Sequence, residues 1–198
     1  MTKLEPTVVI VPGLRDHVED HWQTLLAVQL DRVRTVPPPE HDKLNLTARI
    51  DALDTVLSDI AGPVTLIAHS AGVMITVQWA QNPTRHIVGA LLAAPADVEV
   101  PFPAGYPQVA ELEENGWLPI PRGRLPFPSI VACSANDPLG DRRRIAGMAE
   151  SWGSRLVNLG NVGHLNPASG YGSWPQAATL LAELTGSTFT AESQEIGL

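Results

Sequence analysis

A serine hydroxyl is a weak nucleophile at its ordinary pKa and attacks a carbonyl carbon only when a base takes its proton. The run Leu66-Ile67-Ala68-His69-Ser70-Ala71-Gly72 places one serine where that chemistry is favoured. An apolar stretch ends in a tight turn and a helical pattern follows, the context of a nucleophile elbow. Such a turn strains the serine backbone, and the small residues Ala68 and Gly72 let strand and helix approach closely. The general pattern is G-x-S-x-G, and here Ala68 adds one methyl at its first position. A serine capping an ordinary helix looks the same locally, so its partners decide the matter.

Imidazole titrates near neutrality and suits the role of base. Six histidines compete for it. His164 follows the last predicted strand through Gly160-Asn161-Val162-Gly163, which puts it on a loop at the same sheet edge as Ser70. His69 adjoins Ser70, and because successive side chains diverge around the elbow it is expected to pack or hydrogen-bond nearby. His41 and His86 fall in predicted loops or helix ends and are expected at the surface. His17 and His21 follow the first strand; they, with Asn166 beyond His164, are expected to touch substrate.

The imidazole needs a carboxylate to orient it and to stabilise its protonated form. Asp137 closes Cys133-Ser134-Ala135-Asn136-Asp137-Pro138 just past the penultimate strand and is the expected acid; Asp97, after the preceding strand, is its rival. A tetrahedral oxyanion needs two donors, for which the backbone N–H groups of Leu14 and Ala71 are expected. Gly13 then supplies the backbone freedom of that loop. The set implies neither a metal nor an organic cofactor, and its partner is a small-molecule acyl substrate.

The elements that must hold these groups are short apolar runs alternating with helical stripes. Strands are predicted at Thr7–Val11, Val33–Val36, Val64–Ala68, Ile87–Ala93, Ser129–Ser134 and Arg155–Leu159. Helices are predicted at Trp22–Leu30, behind an acidic segment, and along the stripe Leu46, Ile50, Leu53, Val56, Leu57 and Ile60. Val73, Val77 and Ala80 mark the inner face of the helix after Ser70. Strands apolar on both faces argue for a parallel sheet of about six strands with helices on both sides. Asp97 to Pro128 carries seven prolines around one helical stretch, Gln108–Asn115, and forms either a small cap or a plain excursion. Trp22 and Trp117 are the aromatic residues considered for acyl contact.

At 198 residues the chain fits one domain over 1–185, with a polar tail at 186–198 expected to fray. Hydrophobic residues make up 44% and charged residues 17%, as in globular proteins. The formal charge of -8 works against phosphate backbones and anionic lipid, so neither nucleic acid nor membrane is an expected partner. Met1 to Pro6 lacks a signal-peptide layout and no run approaches a membrane span, so a cytoplasmic location is expected. The single cysteine, Cys133, sits in an apolar run and reads as core.

These motifs resemble, in order, those of the small serine hydrolases of the retinoblastoma-binding protein 9 / YdeN type. Val8-Val9-Ile10-Val11-Pro12-Gly13, Asp20-His21-Trp22-Gln23, the segment around Ser70, Ser134 to Pro138 and Gly163-His164-Leu165-Asn166 carry the likeness, with Ala168 to Pro175 similar to the segment that follows the family's histidine. The likeness runs over nearly the whole chain. It implies a compact α/β-hydrolase fold with a triad at Ser70, Asp137 and His164, which agrees with the residue-by-residue reading. Ser173 and Gln176 fit a capping box for the final helix, with Pro175 in its first turn. No L-x-C-x-E sequence occurs, so the family name implies no retinoblastoma-protein partner. The expected activity is hydrolysis of a small carboxylic ester, amide or thioester through an acyl-enzyme. The alternatives are acyl transfer by the same triad and a non-catalytic hydrolase-fold binding protein.

Overall fold

The computed structural model describes residues 5–186 apart from His17. Six strands, β1 (Thr7–Val11), β2 (Val33–Thr35), β3 (Val64–His69), β4 (Gly89–Ala93), β5 (Ser129–Cys133) and β6 (Arg155–Asn158), form one sheet in the order β2-β1-β3-β4-β5-β6. Every neighbouring pair is parallel, as the sequence pattern predicts. The helices are α1 (Trp22–Ala27), α2 (Leu46–Ser58), α3 (Ala71–Trp79), α4 (Val109–Glu114), α5 (Arg142–Trp152) and α6 (Gln176–Thr185).

Alternation along the strands divides the core in two. Val9, Val11, Leu66, Leu92 and Val131 join one cluster with Leu53, Leu57, Val77, Met148 and Trp152 of α2, α3 and α5. Val8, Ile10, Ile67, Leu91 and Ala132 join the other with Trp22, Leu26, Leu180 and Leu181 of α1 and α6. A strand buried on both faces is largely apolar, which is why β1, β3 and β4 read as apolar runs broken only by Thr7, Thr65 and His69. The chain reverses its direction of travel across the sheet between β1 and β3, and the strand C-terminal ends there flank the crevice where ligands of open α/β sheets bind.

Local expectations fail at three helices. The α1 helix stops at Ala27 instead of Leu30: Gln29 and Leu30 bond three residues back to Leu26 and Ala27, tightening the last turn, and Val28 is 86% exposed. Its N-cap is His21, whose Nδ1 accepts from Gln23 N–H, in place of the expected acidic segment. The predicted capping box of α6 does not form: Pro175 holds the N-cap position and no side chain caps the helix. Trp174 is pinned edge-to-face on Trp22, 4.8 Å between centroids, so packing sets where α6 begins. The α5 helix, capped by Asp141 accepting from Arg143 and Arg144 N–H, has no counterpart in the sequence reading.

Segment 97–128 contains α4 and buries Phe102, Leu112, Trp117, Ile120, Leu125 and Phe127. Trp117 Nε1–H donates to the Leu44 carbonyl at 2.7 Å, Leu46 N–H to Asn115 at 3.0 Å, and Gln78 to Pro119 at 3.0 Å. The segment is therefore fastened to α3 and to the approach to α2. Trp22 and Trp117, considered for acyl contact, are both core residues. Among the described residues no helix is long and apolar enough to cross a membrane.

Candidate active site

Ser70 occupies the turn between β3 and α3 with φ 58° and ψ -126°, a strained backbone for a residue bearing a β-carbon. Its hydroxyl does not cap the helix, so it is left for other work. The closeness that holds the elbow is extreme at Gly72, where a β-carbon would stand 2.2 Å from the Val11 carbonyl oxygen. Ala68 is fully buried in the core, which accommodates the extra methyl. Gly13 serves a different purpose from the one expected. Its φ lies outside the left-handed region, but a β-carbon there would meet Ser70 Cβ at 3.1 Å, so it is room and not backbone freedom that requires glycine.

His164 Nε2 lies 2.8 Å from Ser70 Oγ, and His164 Nδ1 lies 2.9 Å from each oxygen of Asp137. With Nδ1–H donating to the carboxylate, Nε2 is left to accept from the serine hydroxyl. The Asp137 side chain is 3% exposed, and its Oδ1 also accepts from Leu139 N–H at 2.8 Å. Asp97, the rival acid, is fully buried elsewhere: its carboxylate pairs with Arg144 and accepts from Glu99 N–H, tying the end of β4 to α5.

The loop carrying His164 is held by bonds that the sequence reading did not single out. Ser169 Oγ accepts from His164 N–H at 2.9 Å, Asn136 Oδ1 from Gly163 N–H at 2.7 Å, and Ser134 Oγ from Val162 N–H at 3.3 Å. Gly163, at φ 56°, would bring a β-carbon to 2.5 Å from Ser169 Oγ. His69 Nε2–H donates to the His164 carbonyl at 2.9 Å, so His69 is the hydrogen-bonding neighbour expected. Burial, then the charges of His164 and His21, hold its pKa well below 6.5, against a smaller opposing effect of the bond to His164. It therefore stays a neutral donor.

His21 packs edge-on against His69, 4.6 Å between centroids. Burial first, and the charge of His164 second, push it down to about 4. Its Nδ1 accepts from Gln23 N–H, so in the neutral ring the proton sits on Nε2. Asn166 caps a short 3-10 turn (Pro167–Ser169) with its Oδ1 on Ser169. Both residues line a cavity of about 440 Å³ that opens on Ser70 and His164. The expected contact by His17 lies outside the described residues. Leu14 and Ala71 line the same cavity, and their backbone N–H groups have no partner among the described residues. His41 and His86 are exposed, and Cys133 is a buried core thiol whose pKa burial raises.

A family model described as serine hydrolase matches residues 8–183. The chain belongs to the serine hydrolase family. Among solved structures, this serine hydrolase is similar to a YdeN-like hydrolase from Pectobacterium atrosepticum, with 30% identity, a TM-score of 0.79, and 92% of this chain and 91% of that one covered. The ydeN gene product of Bacillus subtilis matches at 18% identity and a TM-score of 0.72, over 92% of this chain and 100% of that one. A 2-hydroxy-6-oxo-6-phenylhexa-2,4-dienoate hydrolase from Rhodococcus shares the fold at 15% identity and a TM-score of 0.66, covering 92% and 91%. No curated protein matches the sequence significantly.

Proposed function

We propose that this serine hydrolase cleaves small carboxylic esters through an acyl-enzyme on Ser70, with His164 as general base and Asp137 as the orienting acid. The observation that carries the reading is the unbroken hydrogen-bonded row Ser70–His164–Asp137 beside two N–H groups that have no partner among the described residues. In the first step His164 Nε2 takes the hydroxyl proton while Oγ bonds to the substrate carbonyl carbon. The oxyanion is held by the backbone N–H groups of Leu14 and Ala71, a reading supported by both residues lining the cavity beside Ser70. As the tetrahedral intermediate collapses, the bond to the leaving alkoxide breaks and His164 returns the proton to it. Water then adds to the acyl carbon by the same route, releasing the acid and free Ser70. An amide or thioester would follow the same steps with a different leaving group.

Asp137 keeps the imidazole in the tautomer that presents a lone pair to Ser70 and stabilises the imidazolium that forms. The test is hydrolysis of p-nitrophenyl butyrate together with labelling by a fluorophosphonate. Both are expected in the parent and absent in Ser70→Ala; full turnover by that variant overturns the reading.

A further inference from the structure

The cavity beside Ser70 exceeds what a two-carbon acyl group fills. Its volume of about 440 Å³ corresponds to about 15 groups of the ~30 Å³ that one water takes up in the liquid, a volume close to that of a methylene. One wall is made by Leu44, Val98, Phe102, Tyr106, Pro107 and Leu139. Val98, Phe102 and Leu139 belong to the hydrophobic core, with Leu44 and Tyr106 packed against it. Phe102 and Tyr106 stand edge-to-face, 6.0 Å between centroids.

The charged groups on the cavity largely offset one another. Arg49 is paired with Asp16 at 3.1 Å, the Arg15 guanidinium lies over the Tyr106 ring at 5.4 Å, and Lys43 is matched in formal charge by Glu111. Near the reacting atoms the lining includes Leu14 and His21 and, just past His164, Asn166, Pro167 and Ala168. His164 must hand its proton to the leaving oxygen, so the leaving group lies on that side and the acyl chain is directed away from it.

We propose that the enzyme takes esters of medium-length apolar acids, about six to ten carbons, with the acyl chain along the apolar wall and Phe102 and Tyr106 setting its length and shape. The inference rests on Ser70 acting as the acyl-enzyme nucleophile. The segment that carries Phe102 and Tyr106 is fastened further along by the bonds of Asn115, Trp117 and Pro119 and by Ile120 N–H to Glu99 at 3.0 Å, and Phe102 itself is buried in the core, which supports a wall that limits length. Burying one methylene contributes ~0.8 kcal/mol, about fourfold in kcat/KM at full burial.

The experiment is kcat/KM for p-nitrophenyl acetate, butyrate, hexanoate, octanoate, decanoate and laurate, which share one leaving group. A rise of at least about thirtyfold from acetate to octanoate is expected, with a fall at laurate. In Phe102→Ala and Tyr106→Ala, each checked for folding by circular dichroism, the octanoate-to-acetate ratio should drop by about fivefold or more. A profile that is flat or falls from acetate onward, with Ser70-dependent hydrolysis intact, overturns the inference alone; so does an unchanged ratio in both folded variants. Absence of all ester cleavage together with absence of fluorophosphonate labelling overturns the reading on which it rests.

Discussion

Replacing glycine by alanine should have opposite consequences at two helical positions, Gly72 and Gly147. At Gly72 the new β-carbon would stand 2.2 Å from the Val11 oxygen and 2.7 Å from the Pro12 oxygen, more than half an ångström short of ordinary contact in each case. Both obstacles are backbone, so no side chain can swing aside, and the end of β1 must move away from α3. Overpacking usually costs about 1–3 kcal/mol where side chains can adjust, so a loss of about 3 kcal/mol or more is expected here. For a chain of this size that lowers Tm by roughly 6–12 °C. The displaced strand end carries Gly13 and Leu14, so activity should fall with stability, by about a hundredfold if the Leu14 donor is misplaced. At Gly147, inside α5, nothing lies within 4 Å of the added carbon. Alanine there should stabilise by about 0.5–1 kcal/mol through helix propensity alone. Thermal melts followed by circular dichroism, with p-nitrophenyl butyrate turnover measured alongside, read both effects. A Gly72→Ala protein that melts within about 2 °C of the parent would show that the approach of α3 to β1 is not the constraint argued above.

Asp137→Asn should lower kcat by roughly 10³–10⁴-fold while leaving KM and the melting temperature close to the parent values, because the amide favours the wrong imidazole tautomer; steady-state kinetics decide, and a loss under tenfold would remove Asp137 from the mechanism. His21 binds its proton only near pH 4 in the fold but near 6.5 when unfolded. The unfolded chain therefore holds more protons between those values, so this contribution is intact at pH 7 and declines as the pH falls from about 6.5 toward 4, by at most about 3 kcal/mol. Urea midpoints across that range should fall less steeply in His21→Gln, and parallel slopes would contradict the assignment.

The central strands β1, β3, β4 and β5 were legible because burial on both faces leaves largely apolar runs, whereas the edge strands β2 and β6 are mostly exposed and were read from their place in the alternation. Ser70, Asp137 and His164 were legible for a related reason: each follows a strand end, and a parallel sheet brings those ends to one edge. What escaped were features set by packing between distant segments. Trp174 against Trp22 decides where α6 starts, so the Ser173 and Gln176 spacing misled. Leu30 was expected to continue α1, yet the helix ends at Ala27 and Val28 lies in solvent. Ser169, which fixes His164 through its backbone, sits five residues away with no periodic signal, and left-handed backbone at Gly163 and Leu165 accompanies its approach. A cap from segment 97–128 was foreseen as one of two outcomes, but not that Phe102 and Tyr106 would be the residues lining the cavity, since a proline-rich segment has no repeat from which a facing wall can be read.

The backbone of Ser70 has a consequence for engineering. Its φ of 58° is a region where glycine rests at ease and serine does not, a difference on the order of 1–2 kcal/mol. The fold is thus not neutral toward its own nucleophile: the inert glycine variant is favoured by the scaffold itself. Selection for heat resistance alone, with no demand on turnover, would drift toward a sturdier and silent protein, and any programme to stabilise this hydrolase must keep an activity screen at every round.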